Sequence, residues 1–459
     1  MVTKNFLMDK RFFLLIPIIG IILGSFYFLP KKTSKNTSFI NLNLSQINKE
    51  NKKNAPTISE PQKKNKKVIL ISLDTVKAND LGIYGYGRNT SENIDNIAKE
   101  KDSIVFKNAF TPVPETLPAH IAAFTGLYPG KAGWGNNTNV DKSKKFTTIS
   151  KIFKENGYKT AGFYSSTVFG QFDQIDLGFD YVDPPLDYLW SDRVEISAAE
   201  TNDKVFSWLN QHYDEDFFLW VHYYEAHNPY TPFCTNDLFS KGLKPNNPKY
   251  INGAIDIANK SMWGSIKKED NDYLNAKYDE EIYCLDKELN NLLSKLKSLK
   301  IYEDATIIVF GDHGESFDHQ ALFHGFKLYQ SEVKVPLIIK SPLIKVFSQN
   351  NVNLVDISPT LVDYFKLKKD SLTKFDGISL NKIEQNPNRV LYMETAGEYF
   401  DRSNLNAYGL IFNEFKFIDT GKSFELYDLN SDQKEANNII KEVAPEDIKR
   451  LTGLLKTKN

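Results

Sequence analysis

Acidic and imidazole side chains stand directly after two short apolar runs of the sequence. The run KVILISL (67–73) is followed by Asp74, and the run ATIIVF (305–310) is followed, after one glycine, by Asp312 and His313. Two carboxylates and one imidazole are suitable ligands for a divalent cation such as Mg²⁺, Mn²⁺, Ca²⁺ or Zn²⁺. Each motif alone is weak, because an aspartate after a strand is more often a helix cap or a turn residue.

Four apolar runs predict the strands of a central sheet that would position these residues. The runs lie at 67–73, 217–221, 305–310 and 335–339, and the first and third are rich in β-branched residues. Segments 94–101 and 278–299 between them are predicted to be helical. Continuous apolar strands that alternate with helices indicate an α/β fold with a sheet covered on both faces. In open α/β sheets, ligands bind beyond the carboxyl ends of the strands, where the polar residues stand.

The composition is that of an ordinary globular chain. Its 459 residues carry 57 Lys and Arg against 58 Asp and Glu, with 41% hydrophobic and 25% charged residues. These values exclude a collagenous, a mostly disordered or a multi-span membrane protein. The formal net charge of −1 argues against a nucleic-acid partner. Two cysteines, Cys234 and Cys284, exclude a disulfide framework but are compatible both with one bond and with two free thiols.

The amino-terminal segment is predicted to lie outside the fold. Residues 12–29 carry no charged side chain over 18 positions, which is just long enough to span a bilayer core. We therefore predict a transmembrane anchor within residues 1–30. A cleaved signal peptide, whose small-x-small cleavage pattern is missing, and a buried core helix are the alternatives. Residues 31–66 are rich in Asn, Lys, Ser and Gln, which predicts a disordered linker.

The segment PETLPAHIAAFTGLYP (114–129) resembles the nucleophile motif of the sulfatase family in the alkaline-phosphatase superfamily. That motif reads Cys or Ser, any residue, Pro, a small residue and Arg, then an apolar stretch and Thr-Gly. The residues at these offsets here are Thr116, Pro118, Ala119, His120, Thr125 and Gly126. Further segments with family resemblance follow in order at 74–87, 93–100, 218–233, 309–339, 355–365, 375–380 and 425–439. The resemblance covers residues 67–440.

This resemblance implies the architecture and the location of the protein. It implies a large mixed, mostly parallel sheet sandwiched by helices, expected at 67–380. A small C-terminal α+β subdomain with an antiparallel sheet and a terminal helix is expected at 381–459. Together with the anchor at 1–30, it implies a single-pass protein of the cell membrane with an extracytoplasmic catalytic domain.

The chain departs from the family pattern at the nucleophile. Family sulfatases convert the motif Cys or Ser to formylglycine, whereas the same oxidation of Thr116 would give a ketone, so no formylglycine is expected. The family's adjacent acidic ligands are reduced to Asp74-Thr75. The set that remains consists of Asp74, Thr116, Asp312 and His313. It resembles the set of superfamily members that use a Thr nucleophile on phosphoesters, such as lipoteichoic-acid synthases, and it implies one divalent ion (Mn, Mg, Ca or Zn).

Thr116 is therefore predicted to be both a metal ligand and the nucleophile. A divalent cation stabilises the alkoxide form of a hydroxyl, and attack on a phosphoester would give a phosphothreonine that water or an acceptor alcohol resolves. The alternative role is a helix N-cap. His227 corresponds to the family's substrate histidine, and His324 is predicted to reach the same site. His222 is predicted to be structural, and the sequence shows no complete second set of metal ligands.

These residues predict a membrane-anchored, metal-dependent hydrolase or phosphotransferase that acts on phosphate (or sulfate) esters through a Thr nucleophile. The expected substrate is an ester of the cell envelope, such as a lipid or a glycan, by analogy with the family. One alternative is a sulfuric ester hydrolase that works without formylglycine. A second alternative is a catalytically inactive surface binding protein on the same scaffold.

Overall fold

A computed structural model describes most of the chain from residue 66 onward. The described residues are 66–137, 141, 143–166, 168–169, 177–183, 195–247, 250, 266–318, 322–344, 350–395 and 407–456. The predicted anchor, residues 1–30, and nearly all of the predicted linker, residues 31–66, lie outside the described residues. The division into a core at 67–380 and a subdomain at 381–459 stays a prediction.

A seven-stranded mixed sheet forms the centre of the fold. Its strands in chain order are β1 (Lys67–Leu73), β2 (Ser103–Val105), β4 (Lys159–Tyr164), β5 (Tyr181–Asp183), β6 (Phe217–Tyr223), β7 (Thr306–Gly311) and β8 (Leu337–Lys340). In space the order is β2-β8-β7-β1-β6-β4-β5. The strands from β7 to β5 are parallel, whereas β8 runs antiparallel to β7 and to β2. The predicted mixed, mostly parallel sheet is confirmed.

Helices cover both faces of this sheet. The helices of the described residues, including α9 on the C-terminal sheet, are α1 (Glu92–Ala98), α2 (Thr116–Thr125), α3 (Pro129–Ala132), α4 (Ile149–Glu155), α5 (Ala198–His212), α6 (Lys268–Ser298), α7 (Gln330–Val333), α8 (Ile357–Tyr364) and α9 (Pro445–Lys456). Alternate residues of β1 face opposite cores: Val68 and Leu70 pack with α2, α4 and α8, and Ile69 and Ile71 pack with α1, α5 and α6. Burial on both faces explains the uninterrupted apolar runs in the sequence.

A second, antiparallel sheet lies near the C-terminus. Its four strands are β10 (Val390–Glu394), β11 (Tyr408–Phe412), β12 (Phe415–Asp419) and β13 (Phe424–Asp428), and the two-residue strands β3 (Ala109–Phe110) and β9 (Val352–Asn353) pair separately. Leu451 and Leu455 of α9 pack on one face of the four-stranded sheet. On the other face, the buried Lys416 forms an ion pair of 2.5 Å with Glu435 and donates to the carbonyl of Leu328 at 2.7 Å. These contacts join the C-terminal sheet to the segment before α7.

The two cysteines form a disulfide bond. Cys234 and Cys284 are bonded with a Cα–Cα distance of 5.6 Å and close a loop of 50 residues. The bond ties the segment after β6 to the middle of α6, and the alternative of two free thiols is therefore wrong.

The structure corrects the expected location of the protein. Within the described ranges, no helix combines the length and the apolar character that crossing a membrane requires. The predicted localisation as a single-pass protein of the cell membrane with an extracytoplasmic catalytic domain is therefore wrong. That prediction depended on residues 12–29, which lie outside the described residues.

Candidate active site

Two neighbouring strands bring the predicted carboxylates together. β1 and β7 are parallel and hydrogen-bonded, with Leu73 opposite Gly311, so Asp74 and Asp312 leave the sheet side by side. The backbone N–H of Thr75 donates to Oδ1 of Asp312 at 3.1 Å. The chain after Asp312 passes so close to α7 that a Cβ on Gly314 would lie 2.1 Å from the carbonyl oxygen of Ser331. Glycine at this position therefore permits the turn that carries His313 into the site.

Helix α2 begins at Thr116, whose hydroxyl points at these residues. Its Oγ1 lies 3.3 Å from Oδ2 of Asp74 and 3.2 Å from Nε2 of His313. The N-cap residue of α2 is Glu115, and the helix has no side-chain cap hydrogen bond. The alternative role of Thr116 as an N-cap is therefore wrong. The structure brings all four predicted metal-site residues together, and each of them is buried.

The protonation state of His313 suits a metal ligand. Its Nδ1–H donates to the carbonyl oxygen of Gly314 at 3.0 Å, because a carbonyl can only accept. The lone pair of Nε2 therefore faces Thr116, and Nε2 lies 3.6 Å from Oδ2 of Asp312. Burial holds the pKa of His313 well below its usual range, which keeps the ring neutral.

When ionised, the two aspartates carry negative charge that the described side chains do not neutralise. Among the described residues, Oδ1 of Asp74 and Oδ2 of Asp312 have no hydrogen-bond partner, although both are buried. Burial raises the pKa of Asp74 to about 8. Burial and the charge of Asp74 raise the pKa of Asp312 well above its usual range. A cation would reverse these pKa shifts. A carboxylate oxygen of Asp74, a carboxylate oxygen of Asp312 and a ring nitrogen of His313 lie within 4.8 Å of one another. The residues therefore fit a divalent metal ion.

His227 and His324 lie beside this cluster, as the sequence predicts. The ring centroid of His324 is 4.3 Å from that of His313 and 5.2 Å from that of His227. Nδ1 of His324 contacts the buried carboxylate of Glu315 at 3.0 Å, whose other oxygen accepts from Tyr230 at 2.9 Å. The catalytic roles of both histidines stay predictions.

Two further histidines, which the sequence did not predict to be part of the site, contact the cluster. Nε2 of His222 lies 3.1 Å from Oδ2 of Asp74, and Nδ1 of His120 lies 2.7 Å from the carbonyl oxygen of Thr116. The sequence feature that could have indicated His222 is an imidazole at the end of an apolar run. In the structure, β6 continues through this residue to Tyr223. The signal for His120 was its position four residues after Thr116, one turn along a helix. Glu315 gave no signal apart from its place two residues after His313.

A buried group of carboxylates, imidazoles and a hydroxyl at the strand ends of an α/β sheet is typical of metal-assisted hydrolases. The sulfatase family model matches residues 66–367, and a model described as N-sulphoglucosamine sulphohydrolase, C-terminal, matches residues 317–458. The chain belongs to the sulfatase family, within the alkaline-phosphatase-like superfamily, and the predicted resemblance is confirmed. Members of this family hydrolyse sulfate esters and normally use a divalent metal ion.

Several known proteins are similar to most of the chain. It is 25% identical over 432 residues to the uncharacterized sulfatase YidJ of Escherichia coli (strain K12), covering 83% of this chain and 84% of that protein. It is 24% identical over 386 residues to arylsulfatase K of Canis lupus familiaris, covering 73% and 72%. The solved structure of the phosphonate monoester hydrolase of Agrobacterium radiobacter has a TM-score of 0.63 at 20% identity, covering 85% and 94%. At this identity the structural likeness shows the fold alone.

Proposed function

We propose that the protein is a metal-dependent ester hydrolase in which the hydroxyl of Thr116 attacks a phosphate or sulfate ester. One observation carries the proposal: Oγ1 of Thr116 lies 3.2 to 3.3 Å from ligand atoms of His313 and Asp74. Such separations are usual between two atoms that bind the same ion at about 2.0 to 2.2 Å each. No formylglycine is expected, because the side chain at this position is a threonine.

Asp74, Thr116, Asp312 and His313 would hold the ion. A divalent cation there would stabilise the Thr116 alkoxide and draw electrons from the ester oxygens. The short turn after β7 and the start of α2 fix the ligands before substrate binds, so little reorganisation is needed. The aspartates bring two negative charges to the site and the histidine stays neutral, which matches the charge of one divalent ion.

The remaining two histidines would act on the substrate. Nδ1 of His324 is held by Glu315, and Nδ1–H of His227 donates to the carbonyl of Asn228 at 2.7 Å. In each ring this leaves Nε2 for the substrate. In its protonated form His324 can donate Nε2–H to the leaving oxygen, while its other N–H stays on Glu315. His227 would then bind a non-bridging oxygen.

The chemistry of threonine favours a phosphoester. Attack by Thr116 would break the bond between phosphorus and the leaving oxygen and form a phosphothreonine, which water resolves by attack at phosphorus. Transfer to an acceptor alcohol would use the same intermediate. A sulfate ester is the second candidate, because the family and relatives such as arylsulfatase K are named for it. A sulfothreonine, however, would have no second hydroxyl on the same carbon, so the side chain itself could not expel the sulfate.

Parallel assays test this proposal. The purified chain, treated with chelator and reloaded separately with Mn²⁺, Mg²⁺, Ca²⁺ or Zn²⁺, is given an aryl phosphate monoester, an aryl phosphodiester or an aryl sulfate. We expect metal-dependent turnover and, after rapid quenching, a phosphate-sized mass increase on the peptide that contains Thr116. A strong preference for the aryl sulfate would favour the second candidate. Absence of metal binding and of turnover on all three substrates would favour the inactive binding protein.

A further inference from the structure

A second cluster of side chains that could bind a metal ion adjoins the proposed nucleophile, since Nδ1 of His120 lies 2.7 Å from the carbonyl oxygen of Thr116. It consists of His120 in α2, His222 in β6 and Asp312 after β7. A ring nitrogen of each histidine and a carboxylate oxygen of Asp312 lie within 4.8 Å of one another. All three side chains are completely buried. Asp312 also belongs to the proposed catalytic metal site, so the two clusters share one carboxylate.

Hydrogen bonds fix the tautomers of the two imidazoles in this cluster. Nδ1–H of His120 donates to the carbonyl oxygen of Thr116 at 2.7 Å, which leaves a lone pair on Nε2. Nε2 of His222 lies 3.1 Å from a carboxylate oxygen of Asp74 and donates to it in its neutral form, which leaves a lone pair on Nδ1. His120 therefore has the arrangement seen in His313, with Nδ1–H on a backbone carbonyl and Nε2 available as a ligand.

Each member of this cluster has a buried acceptor that lacks a partner. No described residue forms a hydrogen bond with Nε2 of His120, Nδ1 of His222 or Oδ2 of Asp312. Such orphaned atoms are rare in folded proteins and call for a partner. A water molecule can donate to only two acceptors, whereas here there are three. Two imidazole nitrogens and one carboxylate oxygen are a ligand set that suits Zn²⁺ and similar ions.

The surroundings of the two imidazoles are aromatic. The ring centroid of His120 is 4.9 Å from that of Phe169, 5.5 Å from Trp220 and 5.1 Å from His222. The ring of His222 is 4.7 Å from Phe169. The rings of Phe169 and Trp220 offer no donor to the open nitrogens, since the indole N–H of Trp220 is already donated to Ser72 at 2.9 Å.

We propose that His120, His222 and Asp312 hold a second divalent transition-metal ion. The inference rests on the proposed function only in that Asp312 is shared with the catalytic ion. The second ion would bind Oδ2 of Asp312, the oxygen that lies 3.6 Å from Nε2 of His313, and it would reduce the negative charge between the aspartates. Paired metal ions in hydrolytic sites are typically about 3.5 to 4 Å apart, a spacing that one bridging carboxylate can provide.

Metal stoichiometry tests this proposal without reference to activity. The full chain is stripped with chelator, saturated with Zn²⁺, passed over a desalting column and analysed for zinc per chain by mass spectrometry. We expect two ions in the wild type and one in His120→Phe and in His222→Phe. His212→Gln, which changes a partly exposed histidine on α5 paired with Glu215, is the matched control and should keep two.

The outcomes separate this proposal from the proposed function. One zinc ion per wild-type chain at saturation would overturn the second site, and this result needs no variant to fold. Two ions in the wild type and in both phenylalanine variants would overturn it as well, because the second ion would then lie elsewhere. Two ions in the wild type and one in either folded variant support it, even if no ester is turned over.

Discussion

Replacing Thr116 with valine removes the proposed nucleophile and keeps the shape of the side chain. Thr116 is only 2% exposed, and valine has nearly the same volume and branching at Cβ. Since Thr116 is the first residue of α2, a β-branched residue there does not crowd a preceding helical turn. The substitution therefore changes one oxygen atom in an otherwise unchanged site.

The expected effects on stability and on activity differ in size. The hydroxyl makes two contacts at 3.2 and 3.3 Å, which are long for hydrogen bonds, so their loss should cost about 0.5–1.5 kcal/mol of unfolding free energy each. Loss of a nucleophile costs at least about 10³-fold in kcat, or roughly 4 kcal/mol in the activation free energy. Thr116→Ser keeps the hydroxyl and should stay within about 100-fold of wild type, a cost below about 3 kcal/mol.

The assay compares kcat of wild type, Thr116→Val and Thr116→Ser at saturating metal, using the aryl ester that the wild type turns over fastest. Urea unfolding and metal content are measured on the same preparations, so that loss of fold or of metal is seen separately. Thr116→Val activity within tenfold of wild type, with metal content unchanged, would refute the assignment of the nucleophile.

Three further predictions concern charge and covalent structure. Because burial raises the pKa of Asp74 to about 8, the metal-free native state holds a proton that the unfolded chain has lost. Its unfolding free energy should therefore fall between pH 4 and 8, by up to about 1.4 kcal/mol per pH unit, and urea midpoints that are flat with pH in chelator would contradict this. Replacing Cys234 and Cys284 with serine opens a loop of 50 residues and should lower the unfolding free energy by about 4 kcal/mol. A loss below about 1 kcal/mol in urea unfolding would contradict this prediction. Arg389 binds the buried Asp356 through two hydrogen bonds of 2.6 and 2.7 Å, so Arg389→Met should cost about 3–5 kcal/mol, and Asp356→Asn in the same chain should recover part of that loss in thermal unfolding.

The central strands could be predicted from the sequence because burial on both faces leaves a local signal. β1 occupies the predicted residues 67–73, and β7 is displaced by one residue from the predicted 305–310. The long helix α6 begins at Lys268, ten residues before the predicted 278. Its first turns read KEDNDYLNAK, in which too few apolar residues repeat at helical spacing to give a signal. The C-terminal antiparallel sheet was predicted through the family resemblance and not from its strands.

The candidate site shows a similar division between local and distant information. Asp74, Asp312 and His313 follow strand ends, so their approach could be predicted from the topology alone. The predicted strand at 217–221 stops before His222, whereas β6 includes this histidine. The pairing of His120 with His222, at a centroid distance of 5.1 Å, joins a helix to a strand distant in the sequence. Only the folded chain reveals such a contact.

The residue after Asp74 shows how the turn after β1 positions this carboxylate. Thr75 stands where the resemblance implies a second acidic ligand, but it carries no carboxylate, and its hydroxyl donates to the carbonyl of Asp74 at 2.8 Å. Its backbone has a φ of 56°, a conformation that costs a β-branched residue about 1–3 kcal/mol. Tyr278, which donates to the carbonyl of Thr75 at 2.7 Å, and Asp312, which accepts from its N–H, hold it there. The strained turn thus directs Asp74 without adding a second carboxylate at this position, so the metal-site residues that we propose include only one residue of this turn.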